Sequence, residues 1–136
     1  MMLKENTKRI AFAVHEDKNT ELIEWSYFNK DILAGHEIIS CGKSGDILEG
    51  TLNVPVIKLV AGPLGGFQSL NSYIADGKVD ILIFFWNDSN ENFLRTSTQQ
   101  LLLAALEADI IIIHNKVSAD CILLSALAKE TKKMTA

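Results

Sequence analysis

Short apolar runs alternate with amphipathic segments along this chain. Five runs rich in β-branched or aromatic residues predict strands at Arg9–Val14, Glu37–Cys41, Val56–Val60, Val79–Phe85 and Ile110–His114. The fourth and fifth runs are apolar at consecutive positions, a pattern typical of central parallel strands that helices cover on both faces.

Apolar residues at helical spacing occupy the intervals between these runs. They predict helices at about Thr20–Phe28, Gly45–Leu52, Gln68–Asp76, Thr98–Ala108 and Ser118–Lys129. The apolar face of the first helix and the residues after it is predicted to contain Leu22, Trp25, Phe28 and Ile32. Strands that alternate with helices in this way predict an α/β fold with a parallel sheet, in one domain at residues 1–136 with its core at about 8–128.

Composition and charge narrow the possible function classes. The 13 basic and 17 acidic residues leave a net charge of −4, which disfavours nucleic acid as a partner because Lys and Arg bind a phosphate backbone. The longest apolar runs, Ile81–Trp86 and Leu101–Leu106, fall far short of the ~20 residues of a membrane helix. The N-terminal residues are too polar for a signal peptide. We therefore expect a cytoplasmic protein with no membrane partner.

Cysteine spacing excludes two further kinds of site. Cys41 and Cys121 are far apart and form no CxxC unit. They predict neither a zinc site nor a disulfide framework, and we expect no metal.

The segment Gly42-Lys43-Ser44-Gly45 opens a predicted helix after the second strand. Free amides, the helix dipole, a cation and a hydroxyl together suit a phosphate. A nucleotide-binding P-loop would need a glycine five residues before Gly42, where this chain has Glu37, so an ATPase is excluded. A glycine turn with a capping residue remains the alternative.

The segment from Ala61 to Gly66 contains three glycines, Gly62, Gly65 and Gly66, and leads into a helix. Glycines let the backbone approach a ligand closely, so binding is favoured over a plain turn.

Other polar residues in the loops after strands have both structural and chemical interpretations. His15 follows the first strand and is either an acid/base or phosphate-binding group, or a satisfied residue at a strand end. His36 and His114 have no partners at ligand spacing and are interpreted as structural. The acidic residues of these loops are more often caps or surface charges than catalysts; they are Asp17, Asp88, Glu91 and Asp120.

Taken in chain order, these loops resemble those of methylglyoxal synthases. The resemblance rests on Arg9-Ile10-Ala11 leading to His15, on the two glycine segments, on Ile74 through Trp86, and on Ser118-Ala119-Asp120. It extends from about Lys8 to Leu127 and is most specific from the second glycine segment through Trp86.

The resemblance implies a three-layer, Rossmann-like sandwich with a five-stranded parallel sheet, assembled as a homohexamer. The family converts dihydroxyacetone phosphate to methylglyoxal and phosphate without a cofactor. A carboxylate removes a carbon-bound proton, and hydrogen-bond donors hold the phosphate and the developing oxyanion.

The positions that the resemblance assigns to catalysis hold other residues in this chain. They are Phe67 in place of the catalytic aspartate, Asn87 and Ser97 in place of two further aspartates, and Leu94 in place of a histidine. A relocated base would have to come from Asp88, Glu91 or Asp17. The residues expected to hold a phosphate are His15, Lys18, Cys41, Gly42, Lys43, Ser44, Gly45, Gly62, Gly65 and Gly66.

Three functions follow as hypotheses. The first is a catalytically impaired member that binds a phosphorylated metabolite or small anion, as a sensor or regulatory module. The second is an active lyase with a relocated base. The third is a ligand-free subunit for oligomer assembly. Phe67 and Leu94 favour the first and third, and Lys43 with the glycine loop favours the first over the third.

Overall fold

The computed structural model describes residues 7–60, 67–85 and 92–113, without the side chains of Glu16 and residues 92–97. Within it, one five-stranded parallel sheet forms the centre of the fold, with the strand order β3-β2-β1-β4-β5. The strands are β1 (Arg9–Val14), β2 (Glu37–Cys41), β3 (Ile57–Leu59), β4 (Ile81–Phe85) and β5 (Ile111–Ile113). The predicted α/β class and parallel sheet are confirmed.

The described helices lie in the intervals between strands. They are α1 (Asn19–Phe28), α2 (Lys30–Leu33), α3 (Gly42–Leu52), α4 (Gln68–Ala75) and α5 (Asn92–Ala108), and a 3₁₀ turn at Glu16–Lys18 precedes α1. Two of them begin three or more residues earlier than predicted: α3 begins at Gly42, and α5 begins at Asn92. The predicted helix Ser118–Lys129 lies outside the described residues. No helix in the described ranges is long and apolar enough to cross a bilayer.

The strand order places β1 at the centre of the sheet. It pairs with β2 on one side (Phe12 opposite Ser40) and with β4 on the other (Phe12 opposite Ile83). The chain order therefore reverses between β1 and β4, and in open parallel sheets ligands bind outside the carboxyl ends of the strands at such a switch point.

Two apolar clusters cover the two faces of the sheet. One contains Phe12 and Ile83 with Trp25 of α1, and the other contains Ala13 and Leu82 with residues of α4 and α5. Because side chains alternate between the faces of a strand, β1 and β4 contribute to both clusters. All five residues of β4 are buried, as the continuous apolar run predicts.

The predicted apolar face of the first helix is buried in part: Ile32 packs partly buried against the core, and Phe28 is the exception. Leu22 and Trp25 are buried as expected, but Phe28 is 86% exposed. Ser26 is fully buried instead, and its Oγ lies 2.7 Å from the Thr51 Oγ1 of α3. Two small hydroxyl residues allow α1 and α3 to pack closely on this side of α1. Phe28 lies on the side of α1 that faces solvent.

A bidentate ion pair joins the amino ends of β1 and β4. Arg9 donates from Nη2 to Asp80 Oδ1 at 3.0 Å and from Nε to Asp80 Oδ2 at 3.1 Å. The backbone N–H of Arg9 donates to the same Oδ2 at 2.8 Å, and the N–H of Asp80 donates to the Arg9 carbonyl at 2.8 Å. These bonds hold Asp80 in front of β4, which begins at Ile81 rather than at the predicted Val79.

We expect Asp80→Asn to lower stability at neutral pH by about 1 kcal/mol, since both side chains are more than a third exposed and partly screened. The hydrogen bond from Arg9 lowers the pKa of Asp80 in the folded state. A depressed pKa stabilises the fold above the ordinary Asp range, and this stabilisation is lost as the pH falls through the folded-state pKa. Denaturant titrations from pH 7 downward should therefore show that the free energy of unfolding decreases less for Asp80→Asn than for the parent.

The exposed Asp76, which also follows α4, supplies the matched control. Asp76→Asn removes the same charge without removing the bonds to Arg9, and it should lower stability at neutral pH by less than Asp80→Asn does. An identical decrease in the free energy of unfolding with falling pH for Asp80→Asn and the parent would show that the ion pair does not contribute.

Candidate functional site

The carboxyl ends of β1, β2 and β4 meet at the switch point of the sheet. The chain leaves β1 at His15, whose backbone N–H donates to the carbonyl of Phe85 at the end of β4, at 2.9 Å. The end of β2 at Cys41 leads directly into α3. The described residues that were predicted from the loops after β1 and β2 therefore lie along one edge of the sheet.

Only part of the predicted site lies within the described residues. Described in full are His15, Asp17, Lys18, Cys41, Gly42, Lys43, Ser44, Gly45 and Phe67. Leu94 and Ser97 lie in α5, whose side chains at these positions are not described. Outside the described residues are Gly62, Gly65, Gly66, Asn87, Asp88 and Glu91.

His15 has one ring nitrogen committed to the loop that follows it. Its Nδ1 accepts the backbone N–H of Asp17 at 3.2 Å, and a carboxylate oxygen of Asp17 lies 3.6 Å from the same nitrogen. An accepting Nδ1 assigns the proton of the neutral ring to Nε2. The side chain is 13% exposed. The Nδ1 side of the ring is therefore held against the 3₁₀ turn that follows β1.

The ammonium group of Lys18 is held by a carboxylate of α1. Its Nζ donates to Glu21 Oε1 at 3.0 Å. The positive charge of Lys18 is therefore partly neutralised before any anion arrives.

Cys41 occupies the N-cap position of α3 and is half-buried. Burial raises the pKa of its thiol to about 11, so the sulfur carries its proton at neutral pH. A protonated thiol is a poor nucleophile, which disfavours Cys41 as a covalent catalyst.

The first turn of α3 presents backbone amides and contains no acidic residue of its own. The Cys41 side chain caps none of these amides. Gly42 has a φ of 54°, a left-handed conformation that a glycine adopts without strain. Lys43, the next residue, is exposed and has no ion-pair partner among the described residues. Helix N-termini of this kind attract anions.

Ser44 faces inward, towards a residue that the sequence analysis did not single out. Ser44 is 7% exposed, and its Oγ lies 2.7 Å from the Cys41 carbonyl oxygen and 2.6 Å from the Oγ of Ser40. Ser40 itself is fully buried in β2. A lone serine within the apolar run Glu37–Cys41 is the signal in the sequence that could have revealed it.

Gly45 is buried where α3 packs against the edge strand β3. A Cβ at Gly45 would lie 3.0 Å from Lys58 Cγ and 3.6 Å from the Ser40 carbonyl oxygen. The Nζ of Lys58 bonds Glu49 at 2.8 Å and Asp46 at 3.1 Å, so the lysine is fixed over this position. Close packing thus gives Gly45 a structural reason of its own, independent of ligand binding.

Phe67 is the N-cap residue of α4 and is 6% exposed. It belongs to the apolar cluster that contains Ala13, Leu70 and Phe84. The position that the family resemblance gives to a catalytic carboxylate is therefore filled by an aromatic ring among apolar neighbours. Elsewhere in the described part of the chain, no group of three or more His, Cys, Asp or Glu residues is arranged to hold a metal ion.

Known proteins share both this sequence pattern and this fold. A methylglyoxal synthase of Pseudoalteromonas atlantica is 36% identical over 120 residues, covering 88% of this chain and 89% of its own. That of Coxiella burnetii is 37% identical over 120 residues, covering 88% and 84%. The crystal structure of methylglyoxal synthase from Elizabethkingia anophelis superposes with a TM-score of 0.75 at 30% identity, covering 88% of this chain and 79% of that one. No family model matches the chain.

The chain belongs to the methylglyoxal synthase family. The resemblance carried by the two glycine segments and the run to Trp86 is thereby confirmed, and with it the methylglyoxal synthase-like fold. The binding and catalytic roles of individual residues in this member of the methylglyoxal synthase family stay predictions.

Proposed function

We propose that this member of the methylglyoxal synthase family binds a phosphorylated metabolite or small anion and does not catalyse the lyase reaction. Its role would be that of a sensor or regulatory module in the cytoplasm. The observation that carries this proposal is Phe67, buried at the N-cap of α4.

Phe67 removes the chemistry that the reaction needs at its first step. A general base must lie within about 2.6–3.2 Å of the proton that it abstracts. A phenyl ring accepts no proton, and its neighbours Ala13, Leu70 and Phe84 are equally inert. Asp17 is the described candidate for a relocated base, but its side chain is 66% exposed and lies beside the Nδ1 of His15. A carboxylate that lies open to solvent beside His15 is not held against a substrate proton, which disfavours an active synthase built on Asp17.

The anion-binding half of the proposal is supported by the first turn of α3. Uncapped amides from Gly42 onward and the helix dipole provide an oriented positive potential. Lys43 adds a full charge, whereas Lys18 and Lys58 are already bonded to carboxylates. The exposed ammonium group of Lys43 is therefore the described cation best able to bind an incoming phosphate.

A ligand-free subunit for assembly is the second candidate function. The observation that favours it is the exposed apolar side of α1, where Ile23, Tyr27 and Phe28 are 44%, 60% and 86% exposed. Exposed apolar surface of this kind suits contact with another chain, in line with the homohexamer that the family resemblance implies.

Calorimetric titration with inorganic phosphate, dihydroxyacetone phosphate and a nucleoside monophosphate tests the binding proposal. A charge-assisted hydrogen bond contributes about 1.5–3 kcal/mol, so Lys43→Ala should weaken binding roughly ten- to a hundredfold. Lys78, an exposed lysine that precedes β4 at the opposite edge of the sheet, provides the control. Lys78→Ala should bind as the parent does.

Two results would reject the anion site. One is the absence of binding below millimolar concentration for all three ligands, and the other is equal loss of affinity in Lys43→Ala and Lys78→Ala. Either would leave the assembly subunit as the better function.

A further inference from the structure

Two buried serine hydroxyls connect the centre of the sheet to the first turn of α3. Ser40 Oγ lies 3.1 Å from the carbonyl oxygen of Phe12, its neighbour on β1. The same Oγ lies 2.6 Å from Ser44 Oγ, which in turn lies 2.7 Å from the Cys41 carbonyl oxygen. The contacts run from β1 through β2 to the helix end where the anion is proposed to bind.

Only two protons, those of the Ser40 and Ser44 hydroxyls, are available for these three contacts. A carbonyl oxygen only accepts, so the contacts to Phe12 and Cys41 require the protons of Ser40 and Ser44, respectively. The contact between the two hydroxyls requires one of the same protons. One contact is therefore always without a proton, and the two protons have more than one possible arrangement.

Release of the Ser44 proton from Cys41 leaves no orphaned group behind. Cys41 is the N-cap of α3, and the carbonyl of an N-cap residue already accepts the first hydrogen bond of the helix. When Ser40 donates to Ser44 Oγ, Ser44 can turn its own proton towards the first turn of the helix. A hydroxyl that accepts one hydrogen bond is a stronger donor of the next.

We propose that Ser40 is a positioning residue for the anion site. It acts through Ser44: by donating to Ser44 Oγ, it orients and polarises that hydroxyl towards a phosphate oxygen at the start of α3. The role rests on the proposed function, because it needs an anion at this helix end.

A matched pair elsewhere in the protein separates positioning from simple stabilisation. Ser26 is also fully buried and also contacts a hydroxyl, Thr51 Oγ1, at 2.7 Å. That contact holds α1 against the last turn of α3, far from the first turn where the anion is proposed to bind. Loss of the Ser26 hydroxyl should cost folding stability as loss of the Ser40 hydroxyl does, without an effect on the anion.

The experiment is a double-mutant cycle on the dissociation constant of inorganic phosphate. Ser40→Ala should weaken binding about two- to tenfold, the effect of one hydrogen bond. In the Ser44→Ala background, the same change should have no further effect, because Ser40 acts only through Ser44. Ser26→Ala should bind phosphate as the parent does. If Ser40→Ala does not fold, Ser40→Cys keeps the size of the side chain with a weak S–H donor and should weaken binding in the same way.

Three outcomes overturn the positioning role, and they are distinguishable. Parent-like binding by Ser40→Ala rejects it and leaves the proposed function standing. Equal weakening in the parent and Ser44→Ala backgrounds, or by Ser26→Ala, shows a general structural effect. Failure of the parent to bind inorganic phosphate rejects the positioning role, and failure to bind all three ligands of the calorimetric titration rejects the proposed function as well.

Discussion

Incubated with dihydroxyacetone phosphate, the protein is expected to form methylglyoxal at least about 10²–10⁴-fold more slowly than an authentic synthase, since a positioned general base contributes that factor. The position for the base is filled by Phe67, 6% exposed within an apolar cluster. Phosphorus and proton NMR follow phosphate release and methylglyoxal formation in one sample. Turnover within a few-fold of the authentic enzyme would refute the hypothesis that this protein is catalytically impaired. The base would then have to be sought at Asp88 and Glu91.

Substitutions at Phe67 sharpen this test. Phe67→Asp returns a carboxylate to the N-cap of α4, so trace turnover is expected from it and none from Phe67→Ala. Both variants remove the buried ring, which makes Phe67→Ala the control for lost packing. Phe67→Asp should not improve phosphate binding, because it adds a negative charge near the proposed anion site.

Phe12→Ala is expected to lower the free energy of unfolding by about 3–5 kcal/mol, the usual cost of removing a buried aromatic ring. Phe12 is fully buried at the centre of the sheet. Its ring centroid lies 6.1 Å from that of Trp25 on α1 and 6.4 Å from that of Phe85 on β4. One substitution therefore opens a cavity between the sheet and the first helix. Chemical denaturation measures the loss.

Phe28→Ala provides the comparison within the same chain. Phe28 is 86% exposed, and surface substitutions usually change stability by no more than about 0.5 kcal/mol. A loss at Phe28 as large as that at Phe12 would mean that the α1 surface is covered in solution, and light scattering on both proteins would then identify a larger assembly.

Much of the fold follows from short-range patterns. The bounds of β1 and β2 are those that the apolar runs predict, because each run ends at polar or glycine residues. The later strands are shorter than their runs: β4 begins at Ile81 because Asp80 is bonded to Arg9, and β5 begins at Ile111 after Asp109, which has a left-handed φ of 56°. Bonds between residues 71 positions apart leave no trace in local periodicity.

The candidate site also combines features that local sequence patterns predict with features that depend on packing. Glycine spacing pointed to the first turn of α3, where Gly42 does adopt a positive φ. Periodicity alone could not show that Ser44 turns inward to Ser40, or that α1 buries Ser26 in place of Phe28, because both depend on how α3 packs against its neighbours. Polar groups that find partners across elements are recognised only once those elements are in place.

The central position of β1 has a consequence for synthesis of the chain. Its partner β2 follows at Glu37, but the partner for its other edge, β4, begins only at Ile81. At a translation rate of about 5–20 residues per second, the second edge of β1 waits roughly 2–9 s longer for its partner than the first. During that interval, an apolar strand has unpaired N–H and C=O groups on one edge, the feature that leads nascent chains to pair with one another. Slow decoding between Glu37 and Ile81 should therefore increase aggregation of this protein, whereas slow decoding after Ile113, when β5 is available to the other edge of β4, should not.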